Sequence, residues 1–139
     1  MRAERLTISP AKGERTAADR LTLDPARGVL GDVRSRRDGS ISLLAGEAER
    51  GIREAGGLCT GRFAANVVTA GLDYARLKKG TRLRIGGCEA EILRVGKPCY
   101  EECPLAKNVQ TCPLQKNCAF ARVVSGGELF KGDEIVFVK

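Results

Sequence analysis

Apolar and polar positions alternate most cleanly over residues 81–95. Arg82 and Arg84 flank Leu83, Ile85 follows, and after Gly86-Gly87 the pattern resumes with Cys88, Ala90 and Ile92 set against Glu89 and Glu91. A period of two turns alternate side chains to opposite faces of an extended chain. The stretch therefore predicts a β-hairpin with an apolar inner face and an outer face of Arg and Glu that can pair across the strands. The C-terminus has the same texture, with a strand over 121–124, a turn at Gly126-Gly127 and a strand over 134–138. Shorter runs predict strands over 6–9, 20–23, 40–43 and 63–69. One helix is expected over 45–55, where Ala, Glu and Arg dominate and Gly56-Gly57 ends the run. Leu44, Ala48 and Ile52 form its apolar stripe, with Ser42 as candidate N-cap. A helical turn is expected over 74–77. Lys79-Gly80-Thr81 and Lys131-Gly132-Asp133 each precede an apolar strand, which reads as two turn-plus-strand units of one barrel rather than an internal duplication. With 17 glycines punctuating short segments, the 139 residues read as one mainly β domain, 1–139, without linker or low-complexity tract.

Composition narrows the chemistry. The chain has no histidine, which removes Cys-His and Ser-His-Asp catalysis. A formal charge of +7 fits an anionic partner, and fits a solvated basic surface as well. Acidic residues are interspersed with the basic ones. Aromatics are four Phe and two Tyr without Trp, a poor set for stacking single-stranded bases. Both features count against nucleic acid as partner. The first 15 residues lack the apolar core of a signal peptide, and no apolar run approaches the roughly 18 residues of a membrane span. A cytoplasmic location with reduced thiols is expected, with no membrane partner. There the six cysteines read as ligands, reactive thiols or small buried hydrophobes rather than a disulfide framework.

Four of them fall between Gly96 and Val123: Cys99, Cys103, Cys112 and Cys118, spaced C-x3-C-x8-C-x5-C. Two readings stand beside the bland one of ordinary structural cysteines. All four could close a tetrathiolate zinc or iron–sulfur site, although the paired C-x2-C knuckles of zinc ribbons and the ferredoxin spacings are both missing. Alternatively, Cys99 alone could be a functional thiolate. It follows Gly96-Lys97-Pro98 at the end of a predicted strand, and a neighbouring cation such as Lys97 favours the thiolate. Such a group can ligate a soft metal or carry a sulfane sulfur.

An ordered set of short motifs resembles the MOSC domain, the module at the C-terminus of molybdenum-cofactor sulfurases and in amidoxime-reducing molybdoenzymes. Gly28-Val29-Leu30-Gly31-Asp32 resembles its G-x-x-G-D, and Ile41-Ser42-Leu43-Leu44 with Glu47 its S-L-L…E step. Arg62-Phe63-Ala64-Ala65-Asn66 with Gly71-Leu72 resembles its F-x-x-N…G-L element. Lys79-Gly80 through Ile85-Gly86 resembles its hairpin, and Cys99 falls at its principal cysteine. Phe120-Ala121-Arg122-Val123, Gly126-Gly127 and Gly132-Asp133-Glu134-Ile135 resemble its closing signature. The small, stand-alone bacterial members are the nearest in pattern, matching Cys99, Cys103 and Cys112. Three positions depart from it. Cys118 stands where Gly is usual, Val33-Arg34 where a histidine usually follows the G-D, and Tyr100 where a histidine often follows the cysteine.

The resemblance implies a compact, mostly antiparallel β-barrel with one or two short helices, and binding of molybdenum cofactor, a pterin dithiolene that carries the metal and ends in phosphate. It implies Cys99 as catalytic residue and molybdenum ligand, or as a persulfide that transfers sulfur to a molybdoenzyme or metal centre. Arg62, Arg122 and Arg34 suit the phosphate. Asn66 suits the pterin edge. Asp32 joins this cofactor-binding set, although Asp32 and Asp133 are also the residue type that caps turns. As an enzyme, the chain would be a sulfur transferase or a molybdenum-dependent oxidoreductase served by a partner. It has no pyridoxal-phosphate desulfurase domain, so the expected partners are a sulfur-donor or electron-donor protein and a molybdoenzyme acceptor.

Overall fold

A computed structural model describes residues 1–11, 13–33, 39–54, 64–96 and 114–138. Eleven strands fall within them: β1 (Arg2–Ile8), β2 (Thr16–Ala18), β3 (Arg20–Asp24), β4 (Gly28–Val29), β5 (Ser40–Ala45), β6 (Val67–Ala70), β7 (Arg82–Ile85), β8 (Cys88–Val95), β9 (Cys118–Ser125), β10 (Gly127–Phe130) and β11 (Ile135–Phe137). Eight form one sheet in the order β11-β7-β8-β9-β5-β6-β1-β2, and β10-β3-β4 form a second. Every pairing is antiparallel except β5 with β6. The large sheet curls until β11, at one end, and the residues before it meet the start of β1, one strand from the other end. Ile135 N–H donates to Met1 C=O at 2.8 Å, Ala3 N–H to Asp133 C=O at 2.8 Å, and Gly132 N–H to Ala3 C=O at 2.7 Å. This closure satisfies main-chain groups that an open edge would leave bare.

The hairpin of 81–95 forms as expected, with Arg82 opposite Glu91, Arg84 opposite Glu89, and Leu83, Ile85, Ala90 and Ile92 buried. Ile41, Leu43, Ala121 and Val123 join them inside the barrel, and the small sheet contributes Leu21, Leu23, Val29 and Leu129 to the same core. β7 and β11, the two turn-plus-strand units, pair directly within that one sheet. Among the described residues no helix is long and apolar enough to cross a membrane.

Three expectations are corrected. The helix expected over 45–55 is a 3-10 turn, Gly46–Ala48, followed by a single helical turn, Glu49–Arg53. Ser42 is not its N-cap; it lies inside β5, whose residues from Ile41 to Ala45 are all buried. A strand covered on both faces loses its alternation and reads as a continuous apolar run, and such a run is indistinguishable by period from the start of a helix. Leu44, Ala48 and Ile52 do meet, in a smaller apolar cluster with Ala65 and Cys118 on the outer side of β5 and β9. Finally, Gly126-Gly127 does not fold β9 back on its neighbour. It passes the chain into β10, which pairs with β3 in the other sheet. A Cβ at Gly126 would lie 2.4 Å from Leu23 C=O, so only glycine allows that close crossing.

Candidate functional site

Directly opposed residues of a ladder share a face. The registers of β5, β9 and β8 therefore carry rows of side chains across the outside of the barrel. Ser42, Phe120 and Arg94 form one row, with Ser40, Arg122 and Glu91 beside it. Asn66 sits where β6 begins, next to Ser42, because β6 runs parallel to β5 with Val67 opposite Leu43.

Ser42 and Asn66 bond each other three times. Asn66 Oδ1 accepts from Ser42 N–H and from Ser42 Oγ, both at 3.1 Å, while Ser42 Oγ accepts from Asn66 N–H at 2.9 Å. The other end of the amide turns to a third segment. Asn66 Nδ2 donates to Asp32 Oδ2 at 2.9 Å and to Thr7 C=O at 3.3 Å. Asp32 Oδ2 also accepts from Ser9 N–H at 2.9 Å. Asp32, Ser42 and Asn66 are 1%, 7% and 6% exposed. A carboxylate is tolerated at that depth because hydrogen bonds replace its water. The amide of Asn66 has two N–H groups and one carbonyl oxygen, and all of them are engaged within the protein.

A second set of bonds holds the far end of β5 and β6. Glu47 accepts from Gly71 N–H at 2.6 Å. Thr69 Oγ1 donates to Leu44 C=O at 3.3 Å, so the 2.8 Å contact with Tyr74 is the tyrosine hydroxyl donating to Thr69. Burial pushes the Tyr74 hydroxyl well above the ordinary phenol value. On the outer face Arg122 Nε donates to Glu91 at 3.1 Å, and that bond first, then the charges of Arg122 and Arg82, holds Glu91 below the usual carboxylate range.

The segments thus brought together are separate motifs along the chain: G-x-x-G-D through Asp32, S-L-L…E through Ser42 and Glu47, F-x-x-N…G-L through Asn66 and Gly71. A family model for the MOSC domain matches residues 35–136. The chain belongs to the MOSC domain family. The solved structures agree in fold. YuaD from Bacillus subtilis is 22% identical with a TM-score of 0.68, over 96% of this chain and 92% of that one. YiiM from Escherichia coli is 18% identical with a TM-score of 0.64, over 100% of this chain and 70% of that one. YiiM from Geobacillus stearothermophilus is 15% identical with a TM-score of 0.66, over 99% and 75%. A search of curated protein sequences finds no match. MOSC domains are associated with molybdenum-cofactor binding or sulfur transfer.

Of the residues that the sequence nominates for this MOSC domain's site, Asp32 and Asn66 belong to the buried cluster, and Arg122 stands two residues along β9 from Phe120, exposed, with Glu91 as partner. Cys118 opens β9, fully buried against Leu44, Ile52 and Ala65. Cys99, Cys103, Cys112, Arg34 and Arg62 lie outside the described residues. Ser42, expected in a strand over 40–43 and as a candidate N-cap, is a member of the cluster that the sequence does not nominate for the site. The available signal was its place in the S-L-L motif, at the head of a buried run.

The donor set can be tested against the implied cofactor. Among the described residues no three of His, Cys, Asp and Glu are grouped to hold a metal ion. A metal already held by a dithiolene needs only one protein thiolate, whereas a bare zinc ion needs four ligands. The exposed guanidinium of Arg122 on a polar face suits a phosphate.

Proposed function

We propose that this MOSC domain binds molybdenum cofactor over the outer face of β5, β9 and β8, and that Cys99 serves as metal ligand or as carrier of a sulfane sulfur. The Asp32–Asn66–Ser42 cluster carries this reading. It pins three motif segments to one floor, and the residues expected to touch ligand are near neighbours of that floor in sequence. Arg34 is two residues from Asp32, Arg62 four from Asn66, and Cys99 three from Gly96, whose N–H donates to Cys118 C=O at 2.8 Å. Three residues reach at most about 10 Å.

In this account Arg122, Arg62 and Arg34 bind phosphate. Asn66 and Asp32 do not contact the pterin; with its amide fully used, Asn66 is a positioning residue, and Asp32 orients it. When bound, the cofactor supplies the redox or sulfur-accepting chemistry of its metal. As a sulfur carrier, Cys99 holds a persulfide. An acceptor nucleophile takes the terminal sulfur, and the S–S bonding pair stays on Cys99 Sγ as thiolate. The sulfur comes from a donor protein such as a desulfurase, and the acceptor is a molybdoenzyme; in the redox version an electron-donor protein takes the donor's place. A reducing, cytoplasmic setting suits that thiolate.

Anaerobic titration of the protein with isolated molybdenum cofactor, followed by pterin fluorescence, tests the reading. Binding is expected to weaken by about 100-fold in Cys99→Ala and about tenfold in Arg122→Ala, from lost ligation and a lost charge-assisted bond. Equal affinity of the wild-type protein and Cys99→Ala would overturn the ligand role of Cys99, and no binding by the wild-type protein would overturn the cofactor reading.

A further inference from the structure

The outer face of β7, β8 and the end of β9 has more cationic surface than one phosphate requires. The ladder places Arg84 with Glu89, Arg82 with Glu91 and Arg122, and Arg94 with Phe120 on that face. Simple alternation would send Leu93 outward and Arg94 inward. A register shift between Ile92 and Arg94 inserts one extra residue, so both point outward and both are exposed.

The charges on this face are layered. The side chains of Glu89 and Glu91 are 21% and 24% exposed, those of Arg82 and Arg122 46% and 47%. Arg82 reaches Glu89 at 3.3 Å and Glu91 at 3.5 Å. The carboxylates therefore lie under the guanidinium groups, and the face meets solvent as cations. Four guanidinium groups against two carboxylates give it a net charge of +2. Leu93, 38% exposed, and the half-buried Phe120 add an apolar spot among them. Arginine forks around an apolar spot are the composition of a protein-binding patch.

We propose that this face docks a protein partner presenting a carboxylate-rich surface. Guanidinium forks pair bidentately with carboxylates, and the +7 chain attracts such a partner from a distance. A second copy of the chain carries the same positive face and is repelled. The embedded Glu89 and Glu91 oppose a continuous phosphate backbone. Arg94, Phe120 and Ser42 share one row, so the partner would sit at the rim of the floor; its identity as sulfur or electron donor, or as acceptor, rests on the cofactor reading.

The test uses the full chain and fluorescent poly-L-glutamate, with a short DNA duplex as competitor probe, by anisotropy at low salt. Arg84→Glu with Arg94→Glu alters the face. Arg27→Glu with Lys131→Glu makes the same change in net charge at exposed positions in the β3–β4 and β10–β11 turns. The face pair is expected to weaken poly-L-glutamate binding about tenfold and the turn pair less than about twofold, with wild-type binding falling as salt rises. Equal losses in both pairs, or none in either, would overturn the proposal. So would tighter binding of the duplex that the face pair abolishes, or self-association that the face pair abolishes. Molybdenum content of the same proteins separates the two claims. Metal retained with binding unchanged by the face pair sinks docking alone; a metal-free wild type with face-dependent binding sinks the cofactor reading alone.

Discussion

Asn66 ties three separate segments of the chain together. Its side chain and N–H bond to Ser42, Asp32 and Thr7, and its carbonyl accepts from Thr7 N–H at 2.9 Å. Asn66→Ala would remove one buried donor from Asp32 and the shared acceptor of Ser42 N–H and Oγ. A loss of about 3 kcal/mol is expected in chemical denaturation, several times a surface substitution. A loss below about 0.5 kcal/mol would mean that water replaces the amide. Tyr74 gives a pH signature. Folded, it stays protonated at pH values where an unfolded tyrosine ionises, from about 10 upward. Above that pH the unfolded chain binds fewer protons, so the stability contributed by Tyr74 is present below it and is lost as pH rises. Tyr74→Phe is expected to cost about 1 kcal/mol near neutrality through the lost Thr69 bond. That deficit shrinks between about pH 8 and about pH 10.5, because the variant has no hydroxyl to ionise. Denaturation midpoints at the two pH values, for both proteins, check it.

At the scale of elements, the β7–β8 turn distinguishes its two glycines. Gly86 has φ +58°, and a Cβ there would fall 2.2 Å from Asp133 Oδ2, while nothing lies within 4 Å of a Cβ on Gly87. Asp133 cannot swing away freely, since it accepts from Phe130 N–H at 2.8 Å. Gly86→Ala is expected to cost about 2 kcal/mol and Gly87→Ala less than about 0.5 kcal/mol, read from thermal or denaturant unfolding. Similar costs at the two positions would contradict this geometry. This hairpin was legible in the sequence because one face is wet and the other dry, so its period of two survives. The strand expected over 40–43 forms as β5, but its end at Leu44-Ala45 reads as the start of a helix because both faces are covered, and β10 is not foreseen because Gly126-Gly127 looks like any hairpin turn. Asp32 and Asn66 were each legible as motif residues. That Asn66 meets Ser42 is a property of the parallel β5–β6 pairing, that it also meets Asp32 is a long-range contact, and no local pattern encodes either. The outward Leu93-Arg94 pair needs the register of β9 to be seen as a bulge.

For the whole molecule, the barrel closes through Met1–Ala3 and 132–135, and the motif segments converge around Ser42 on β5 and Asn66 at the start of β6, the strand that pairs with β1. Cys118 distinguishes the two metal readings, because a four-thiolate metal site requires it and the cofactor reading does not. Fully buried among apolar side chains, it is expected to cost about 1–2 kcal/mol on Cys118→Ser and to leave bound metal unchanged. Loss of zinc together with the fold would restore the tetrathiolate alternative. The central claim is tested most directly by elemental mass spectrometry of the protein purified without oxygen from cells supplied with molybdate. The account predicts molybdenum approaching one atom per chain in the wild type and its loss in Cys99→Ala. Zinc or iron in its place, held through Cys99, Cys103, Cys112 and Cys118, would contradict it.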